Sequence, residues 1–341
     1  MPTRRWLWRC SAALAALAMA GAPALGADKV GVSVLPFVSS SPLFIAVEKG
    51  YFAKEGLEID LKFFAAAQPV AVAVTSGDAD FGVTATTAGF FNLAGKGTIK
   101  IVCAQSREEP GWAFNAYVAS NQAYAAGLTS LDKLPGHSFG ISQVGSSHHY
   151  MIGRLAEKRG FTLDKLQLNP LQSIPNMIAA IRGNQIDATI LPAQYANDLA
   201  AKGEIKILGW VDKETPWQLG AVFTSPKMIA EKRGIVEKFV KGWVAAAADY
   251  DTQFQKRDAK GERQFGPDAD ALIAIIEKHT KIKPEIVKVS LPYIDPQGRL
   301  LVGDLYEQVR WYKANKLIDQ DIEAKNIMDL SFVKGHLDVP K

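Results

Sequence analysis

Two adjacent histidines stand at the start of a predicted helix, in the stretch SQVGSSHHYMIGRLAEKRG (142–160). Gly145, Ser146 and Ser147 precede them, and the residues that follow have apolar side chains at helical spacing. Histidines in such a position can ligate a metal, act as a general base, or donate a hydrogen bond to a ligand held at the helix N-terminus. The choice among these three roles depends on the rest of the chain.

A metal site and a catalytic base both need further groups beside the two histidines. A zinc site takes three or four ligands at characteristic spacing, and the other histidines, His137, His279 and His336, lie in other parts of the sequence. A general base needs a positioned nucleophile or acid, and no such signature is present. We therefore predict no metal ligand, no catalytic residue and no cofactor. We favour His148 as a donor to a ligand oxygen and expect His149 to face solvent. The alternative is that both histidines lie at the helix start without contacting a ligand.

Small hydroxyl residues follow a predicted strand and open a predicted helix at three places, VSSSP (38–42), TATTAG (84–89) and GSSHH (145–149). Each helix start offers backbone N–H donors and about half a unit of positive charge, so the three together could hold an anion. The alternative for each segment is simple N-capping. The candidate ligand contacts in these segments are Ser39, Ser40, Ser41, Thr84, Thr86, Thr87, Gly145, Ser146, Ser147 and His148.

Arg107 and Trp112 are further candidates, in the segment that follows the fourth predicted strand. The guanidinium of Arg107 could form a fork to a carboxylate or sulfonate, and the indole of Trp112 could stack on a flat ligand. The alternative is that Arg107 pairs with Glu108 or Glu109 at the surface.

Three more candidates come from other segments. Gln68 either lines the cleft or only starts a helix. Gln194, in ILPAQY (190–195), could supply neutral hydrogen bonds together with Tyr195. Trp217 could line the cleft. Core packing is the equal alternative for the two aromatic side chains, Tyr195 and Trp217.

Strands and helices alternate along most of the chain and must position these residues. The pattern runs from 29 to about 106 and restarts near 134, which predicts two α/β lobes, each a mainly parallel sheet with helices on both faces. After Gly220 one strand, AVFTS (221–225), is followed by amphipathic helices over 230–255, 268–280 and 302–316. We expect this helical tail to pack on the first lobe.

The first 27 residues have the order of a secretory signal peptide: arginines, an Ala/Leu stretch, then small residues. Three of the 39 Lys and Arg residues lie there, so the remainder is nearly neutral against 35 Asp and Glu. Such a balance gives no sign of a nucleic-acid-binding surface. Cys103 is the single cysteine after this leader, so no disulfide is expected within the chain.

The segments GYFAKEGLEIDLKFF (50–64), VAVTSGDADFGVT (72–84), LPGHSFGISQVGSSHHY (134–150) and MIAAIRGNQIDATILP (177–192) resemble, in order and spacing, one family. It comprises the periplasmic solute-binding proteins of ABC importers for sulfonates, taurine, nitrate and pyrimidine precursors. The resemblance implies a type II two-lobed binding protein with a ligand cleft between the lobes. It implies a signal peptide over 1–27, a first lobe over 28–118 plus 222–341, and a second lobe over 119–221.

The chain departs from that family in ILPAQY, where many relatives carry a Trp–Glu–Pro-like trio. The missing acid disfavours a cationic ligand. We therefore expect a monomeric periplasmic protein that captures a small organic anion, an aromatic or aliphatic carboxylate or a sulfonate. It would deliver this ligand to a membrane permease driven by an ATPase. An enzyme on the same fold, of the pyrimidine-precursor or menaquinone-pathway type, and a sensory module are the alternatives.

Overall fold

The computed structural model describes residues 26–340, so the predicted signal peptide lies almost wholly outside the described residues. The first part of the chain alternates strands with helices as predicted. Its elements are β1 (Asp28–Val34), α1 (Ser41–Glu48), α2 (Tyr51–Lys54), β2 (Leu57–Phe63), α3 (Ala67–Ser76), β3 (Phe81–Ala85), α4 (Ala88–Gly95) and β4 (Lys100–Ala104). Ser41 is the first helical residue of α1, and Ser40 occupies the cap position.

The second part repeats the alternation. Its elements are β5 (Asn115–Ser120), α5 (Asn121–Ala125), β6 (Ser138–Ile141), α6 (Ser147–Arg159), β7 (Gln167–Pro170), α7 (Ile174–Arg182), β8 (Ala188–Pro192), α8 (Ala193–Ala201), β9 (Ile205–Trp210) and α9 (Val211–Glu214).

The last part begins with β10 (Gly220–Thr224) and is otherwise mostly helical. Its further elements are α10 (Pro226–Glu231), α11 (Arg233–Phe254), β11 (Lys256–Arg257), β12 (Arg263–Gln264), α12 (Ala269–Thr280), α13 (Pro284–Lys288) and α14 (Val302–Ala314). β11 and β12 form a small hairpin.

Two five-stranded sheets have the same construction. Their strand orders are β2-β1-β3-β10-β4 and β7-β6-β8-β5-β9. In each sheet one strand, β10 or β5, runs antiparallel to both neighbours, so four of the five strands share one direction. The antiparallel strand is the one that arrives from the other sheet, which explains why each sheet is mixed. The domain limits predicted at 118/119 and 221/222 fall within β5 and β10.

Asp80 and Asp187 occupy matching positions in the two sheets. Asp80 Oδ2 accepts the backbone N–H of Gly31 at 2.8 Å, and Asp187 Oδ2 accepts that of Ser138 at 2.9 Å; both pairs are 49 residues apart. Both carboxylates thus tie neighbouring strands together. The two aspartates therefore serve the backbone of the sheets.

The two connections between the sheets, 105–114 and 211–219, lie side by side. Glu108 N–H donates to Trp217 O at 2.9 Å, and Trp217 N–H donates to Glu108 O at 3.3 Å. The segments therefore form a short antiparallel ladder, and residues on this ladder lie between the two lobes.

The C-terminal tail packs on both halves. Thr86 Oγ1 donates to Gln308 of α14 at 2.6 Å. Neighbouring residues of the same helix contact α6: Arg154 of α6 pairs with Glu307, and Trp311 fills the space above Gly153. The tail thus reaches the first lobe, as predicted, and in addition contacts α6.

Candidate functional site

A cavity of about 90 Å³ lies between the two sheets. Its walls come from the carboxyl ends of strands and the first turns of α3, α4, α6 and α7, together with the turn that precedes α1. Open α/β sheets place ligands at such an edge because helix N-termini point there. Predicted site residues that line it are Ser39, Gln68, Thr84, Thr87, Gly145, Ser146, Ser147 and His148.

On the first-lobe side, Thr84 and Thr87 line the cavity, and their hydroxyl groups differ in their hydrogen bonds. Thr87 Oγ1 accepts Phe90 N–H at 3.1 Å and so caps α4. Thr84 Oγ1 is buried and has no hydrogen-bond partner among the described residues. An unpaired buried hydroxyl costs free energy unless something binds it. Thr84 therefore offers a free polar contact to a ligand.

On the second-lobe side, the start of α6 forms the wall. Ser146 Oγ accepts His149 N–H at 3.3 Å, the geometry of an N-cap. His148 is 8% exposed, and its Nδ1 lies 3.0 Å from Ser142 Oγ. Burial lowers the pKa of His148 to about 4, so its imidazole is neutral at pH 7.

His149 does not face solvent, so that expectation is wrong. It is 7% exposed, and its Nδ1 accepts the backbone N–H of Gly145 at 3.0 Å. Its ring meets Trp311 of α14 edge to face, with centroids 5.5 Å apart. The helical tail, which covers this side of α6, is the physical reason that His149 is buried.

The loops on either side of the cavity also touch each other directly. Ala88 N–H, at the start of α4, donates to Gly145 O at 2.8 Å. Val38 N–H donates to Gln194 Oε1 at 3.4 Å. The structure therefore shows the two lobes in contact around the cavity.

Four predicted site residues lie behind the cavity wall, where protein groups occupy most of their polar atoms. Ser40 Oγ accepts from Gln105 Nε2 at 3.3 Å, and Ser41 Oγ donates to Val38 O at 2.5 Å. Thr86 is bound to Gln308, as described above. Gln194 is buried, and its Nε2 has no partner among the described residues.

Arg107, Trp112 and Trp217 lie away from the cavity. Arg107 pairs with Glu109 at 2.5 Å, the alternative raised from the sequence, and its guanidinium lies 4.4 Å from the ring centroid of Tyr293. The Trp112 ring is covered by two guanidinium groups, those of Arg257 and Arg263, at 4.0 and 4.8 Å. Trp217 is 1% exposed and packs on Tyr150 with centroids 4.9 Å apart, the core-packing alternative.

Sequence reasoning missed several polar residues of the wall, namely Gln105, Asn115, Ser142, Gln143, Gln172 and Ser173. Ser173 Oγ caps α7 by accepting Asn176 N–H at 3.4 Å. The motif of a serine before IPNMIAAIR was visible in the sequence and matches the three hydroxyl segments already noted. Asn115 could be found only once the start of β5 was known, because the sequence placed the boundary between the lobes at 118/119 without showing where its strand begins.

The remaining wall is apolar. It includes side chains from both lobes and from the connections between them: Leu35, Phe37, Phe114, Met151, Ile174, Pro192 and Leu219. Among the described residues that line the cavity there is no Lys, Arg, Asp or Glu. The site thus combines a polar, uncharged rim of helix starts with a hydrophobic surface.

Two features are absent from residues 26–340. No group of three or more His, Cys, Asp or Glu side chains that could hold a metal ion occurs in that range. Nor does it contain a helix with the length and apolar character needed to cross a membrane.

The fold is that of periplasmic binding proteins. The alkanesulfonate-binding protein SsuA from Xanthomonas axonopodis pv. citri, bound to MOPS, superposes with a TM-score of 0.71 over 89% of this chain and 98% of its own, at 16% identity. The nitrate-binding protein NrtA from Synechocystis PCC 6803 gives 0.66 over 88% and 85%, at 12% identity. The desulfurization enzyme DSZB gives 0.58 over 89% and 97%, at 13% identity.

Comparisons of the amino-acid sequence, in contrast to those of the fold, match a family model. A comparison with curated protein sequences gives no match. The sequence model of the NMT1/THI5-like family matches residues 38–252, which is more than half of the chain. This chain therefore belongs to the NMT1/THI5-like family.

Proposed function

We propose that this protein is the solute-binding component of an ABC importer and that it captures a small organic anion between its lobes. The observation that carries the proposal is the convergence of four helix N-termini, those of α3, α4, α6 and α7, on one cavity. Each N-terminus contributes positive potential and backbone N–H donors. Together they favour a carboxylate or sulfonate head group.

The uncharged lining narrows the class of ligand. With no cationic side chain in the wall and a neutral His148, an anion is balanced by helix dipoles and hydrogen bonds. Such a site suits one negative charge better than two. The apolar surface formed by residues such as Phe37, Phe114 and Met151 suits a hydrocarbon or aromatic body. The ligand class is therefore a monoanionic carboxylate or sulfonate with an apolar part.

The location and partners follow from the same proposal. A leader over 1–27 would export the chain to the periplasm, where the loaded protein would meet a permease and its ATPase at the inner membrane. We propose that the protein acts as a monomer that binds and releases its ligand chemically unchanged. The likeness to SsuA and NrtA supports this role, while the likeness to DSZB makes an enzyme the competing candidate.

A thermal-shift screen tests the ligand class. The panel contains benzoate, hexanoate and hexanesulfonate, with benzamide and hexylamine as neutral and cationic controls of similar shape. Ligand that binds only the folded state stabilises it by RT ln(1 + [L]/Kd), about 2.7 kcal/mol at a hundredfold excess over Kd. We expect at least one acid to raise the melting temperature and neither control to do so. An equal rise with benzamide or hexylamine would contradict an anion site.

Mass spectrometry of natively purified protein tests binding against catalysis. The proposed role predicts that a small acid copurifies and is recovered unchanged after prolonged incubation with fresh protein. Conversion of that acid into a product would favour the enzyme.

A further inference from the structure

Glu108 is a buried acid in the connection between the two lobes. It is 1% exposed, and its backbone pairs in both directions with Trp217 of the other connection. Its Oε1 lies 2.6 Å from Asn115 Nδ2, while its Oε2 has no hydrogen-bond partner among the described residues. The neighbouring Arg107 points to Glu109 and Asp295 and so does not neutralise this carboxyl group.

Asn115 stands between Glu108 and the cavity. It is the first residue of β5, is 3% exposed and belongs to the cavity wall. A side-chain amide has a donor end and an acceptor end, and rotation about its last bond exchanges them. Whichever end is bound to Glu108, the other end is available to a molecule in the cavity. Ionised Glu108 can only accept, so it holds the amino end of Asn115, whereas neutral Glu108 can also donate and so permits the reverse orientation.

The surroundings of Glu108 favour its neutral form. Burial raises the pKa of Glu108 to about 8, the hydrogen bond from Asn115 acts in the opposite direction, and the charge of Asp212 raises the pKa further. Asp212 Oδ2 accepts Gly111 N–H at 2.9 Å. Tyr117, on β5, is the other titratable group beside Glu108, and burial raises its pKa as well. Neither neighbour supplies a positive charge.

We propose that Glu108 is a positioning residue that sets the hydrogen-bonding sense of Asn115 toward the ligand. In the structure the Asn115 amino group donates to Glu108. When an anion binds, neutral Glu108 can instead donate its O–H to Asn115 Oδ1, which lets the Asn115 amino group turn toward the anion as a donor. Ionised Glu108 accepts from the amino group, which leaves the carbonyl oxygen toward the anion and adds a negative charge behind it. This inference rests on the proposed anion site for its ligand class.

Anion binding and protonation of Glu108 are then linked. Affinity is highest while Glu108 holds its proton and falls as the pH rises through the range in which the proton is lost. Linkage is reciprocal, so binding of an anion near pH 8 draws up to about half a proton from the buffer. The proton that is taken up from the buffer binds to the Glu108 carboxyl group.

The first test needs no ligand. Carboxyl ¹³C and side-chain amide ¹⁵N signals of the full-length mature protein are followed by NMR from pH 5 to 10, with assignment by Glu108→Gln. We expect Glu108 to titrate near pH 8 and the Asn115 amide signals to shift with the same midpoint. Titration of Glu108 in the ordinary range for glutamate, or an Asn115 amide that does not respond, would overturn the inference.

The second test uses benzoate as the probe, since this carboxylate stays ionised throughout the range. Calorimetric titration from pH 6.5 to 9.5 should show roughly tenfold weaker binding at the upper end for the natural chain. Glu108→Gln, whose amide can donate to Asn115 Oδ1 at every pH and does not titrate, should bind with pH-independent affinity and without proton uptake. Glu109→Gln is the matched control on a partly exposed neighbour and should keep the pH dependence.

The outcomes separate the two proposals. A pH dependence that persists in Glu108→Gln contradicts the role of Glu108 even if benzoate binds well. Absence of benzoate binding at every pH counts against the proposed ligand class, and the NMR titration then decides the role of Glu108 alone. Circular dichroism of Glu108→Gln verifies that the variant is folded, and Asp212→Asn provides a second variant, in which the midpoint should move to lower pH.

Discussion

The backbone N–H of Gly145 donates a hydrogen bond to Nδ1 of His149 across 3.0 Å, so the second histidine of the pair supports the loop before α6. Because Nδ1 accepts, the ring proton of neutral His149 is on Nε2. Burial lowers the pKa of His149, which favours this neutral form. The two histidines thus have different roles: His148 lines the cavity, and His149 holds the turn that presents it.

Replacement of His149 should therefore act on stability first. In His149→Ala the buried Gly145 N–H loses its acceptor and Trp311 loses its ring contact, which should cost about 1–3 kcal/mol of unfolding free energy. Urea denaturation measures the loss. His149→Gln, which keeps an acceptor, should recover part of it. An undiminished unfolding free energy in His149→Ala would contradict the supporting role.

His148 should make the protein acid-sensitive. Its pKa is about 4 in the folded state against 6.5 for an ordinary histidine, so the unfolded chain binds the extra proton between these values. The contribution is fully present above pH 6.5 and is lost as the pH falls toward 4, by at most about 3 kcal/mol. His148→Gln should lose less stability than the natural chain between pH 7.5 and 4.5. Parallel pH profiles in the two proteins would show that His148 does not cause the loss.

Gly145→Ala should weaken ligand binding by disturbing the contact between the lobes. The residue has φ of +79°, and an added Cβ would lie 2.7 Å from Ala88 Cβ on the opposite side. Gly136→Ala is the matched control, because φ is +92° there and the added Cβ meets nothing within 4 Å. Both variants should lose about 1–2 kcal/mol of stability from the backbone strain. Only Gly145→Ala should lose affinity for the acid identified in the screen, as measured by calorimetry.

If the two variants bind that acid equally well, the approach of Gly145 to Ala88 plays no part in binding. X-ray scattering adds an independent measurement. The natural chain should become more compact with ligand, and Gly145→Ala should do so less.

Gly153→Ala should reverse the usual effect of alanine in a helix. In an ordinary helix interior the exchange of glycine for alanine stabilises by up to about 1 kcal/mol. At Gly153 the added Cβ would lie 2.0 Å from the Trp311 ring, so α6 and α14 must separate. We expect a loss of about 1–3 kcal/mol in thermal or urea unfolding. Gly234→Ala, in α11, meets nothing within 4 Å and should be neutral or stabilising.

A stabilised Gly153→Ala variant would show that Trp311 is free to move. It would also contradict a role for the tail in holding α6 in place. That role is suggested by Tyr312, the residue after Trp311, whose hydroxyl donates to Ser146 O at 3.3 Å beside the cavity.

Elements with strong local signals were predicted well from the sequence. The apolar spacing in the sequence predicted the helices α6, α7, α11 and α14. Gly77 and Gly160 end their helices in the left-handed conformation, which glycine adopts readily. The boundary between the lobes was predicted at 118/119, which lies inside β5, but the extent of this strand is set by pairing with β8 and β9, which come much later in the chain.

For the site, the hydroxyl segments at helix starts were sufficient to predict half of the polar wall. Ser39, Thr84, Thr87 and the Gly145–His148 turn follow strands whose parallel direction brings their ends to one edge. The placement of Arg107 and Trp112 required the tertiary structure. Their partners, Tyr293 for the former and Arg257 and Arg263 for the latter, belong to the helical tail.

The sequence by itself determined the alternation of strands and helices, the hydroxyl residues at the helix starts, and the single cysteine after the predicted leader. These depend on periodicity and on the chemistry of neighbouring residues. Only the tertiary structure decided that His149 is buried, that Arg107 is already paired, and that Glu108 faces Asn115 behind the cavity. The hydrogen-bond partners of the Arg107 and Glu108 side chains are near in sequence, but their burial and the ring contacts of His149 with Trp311 and of Arg107 with Tyr293 depend on packing of distant segments.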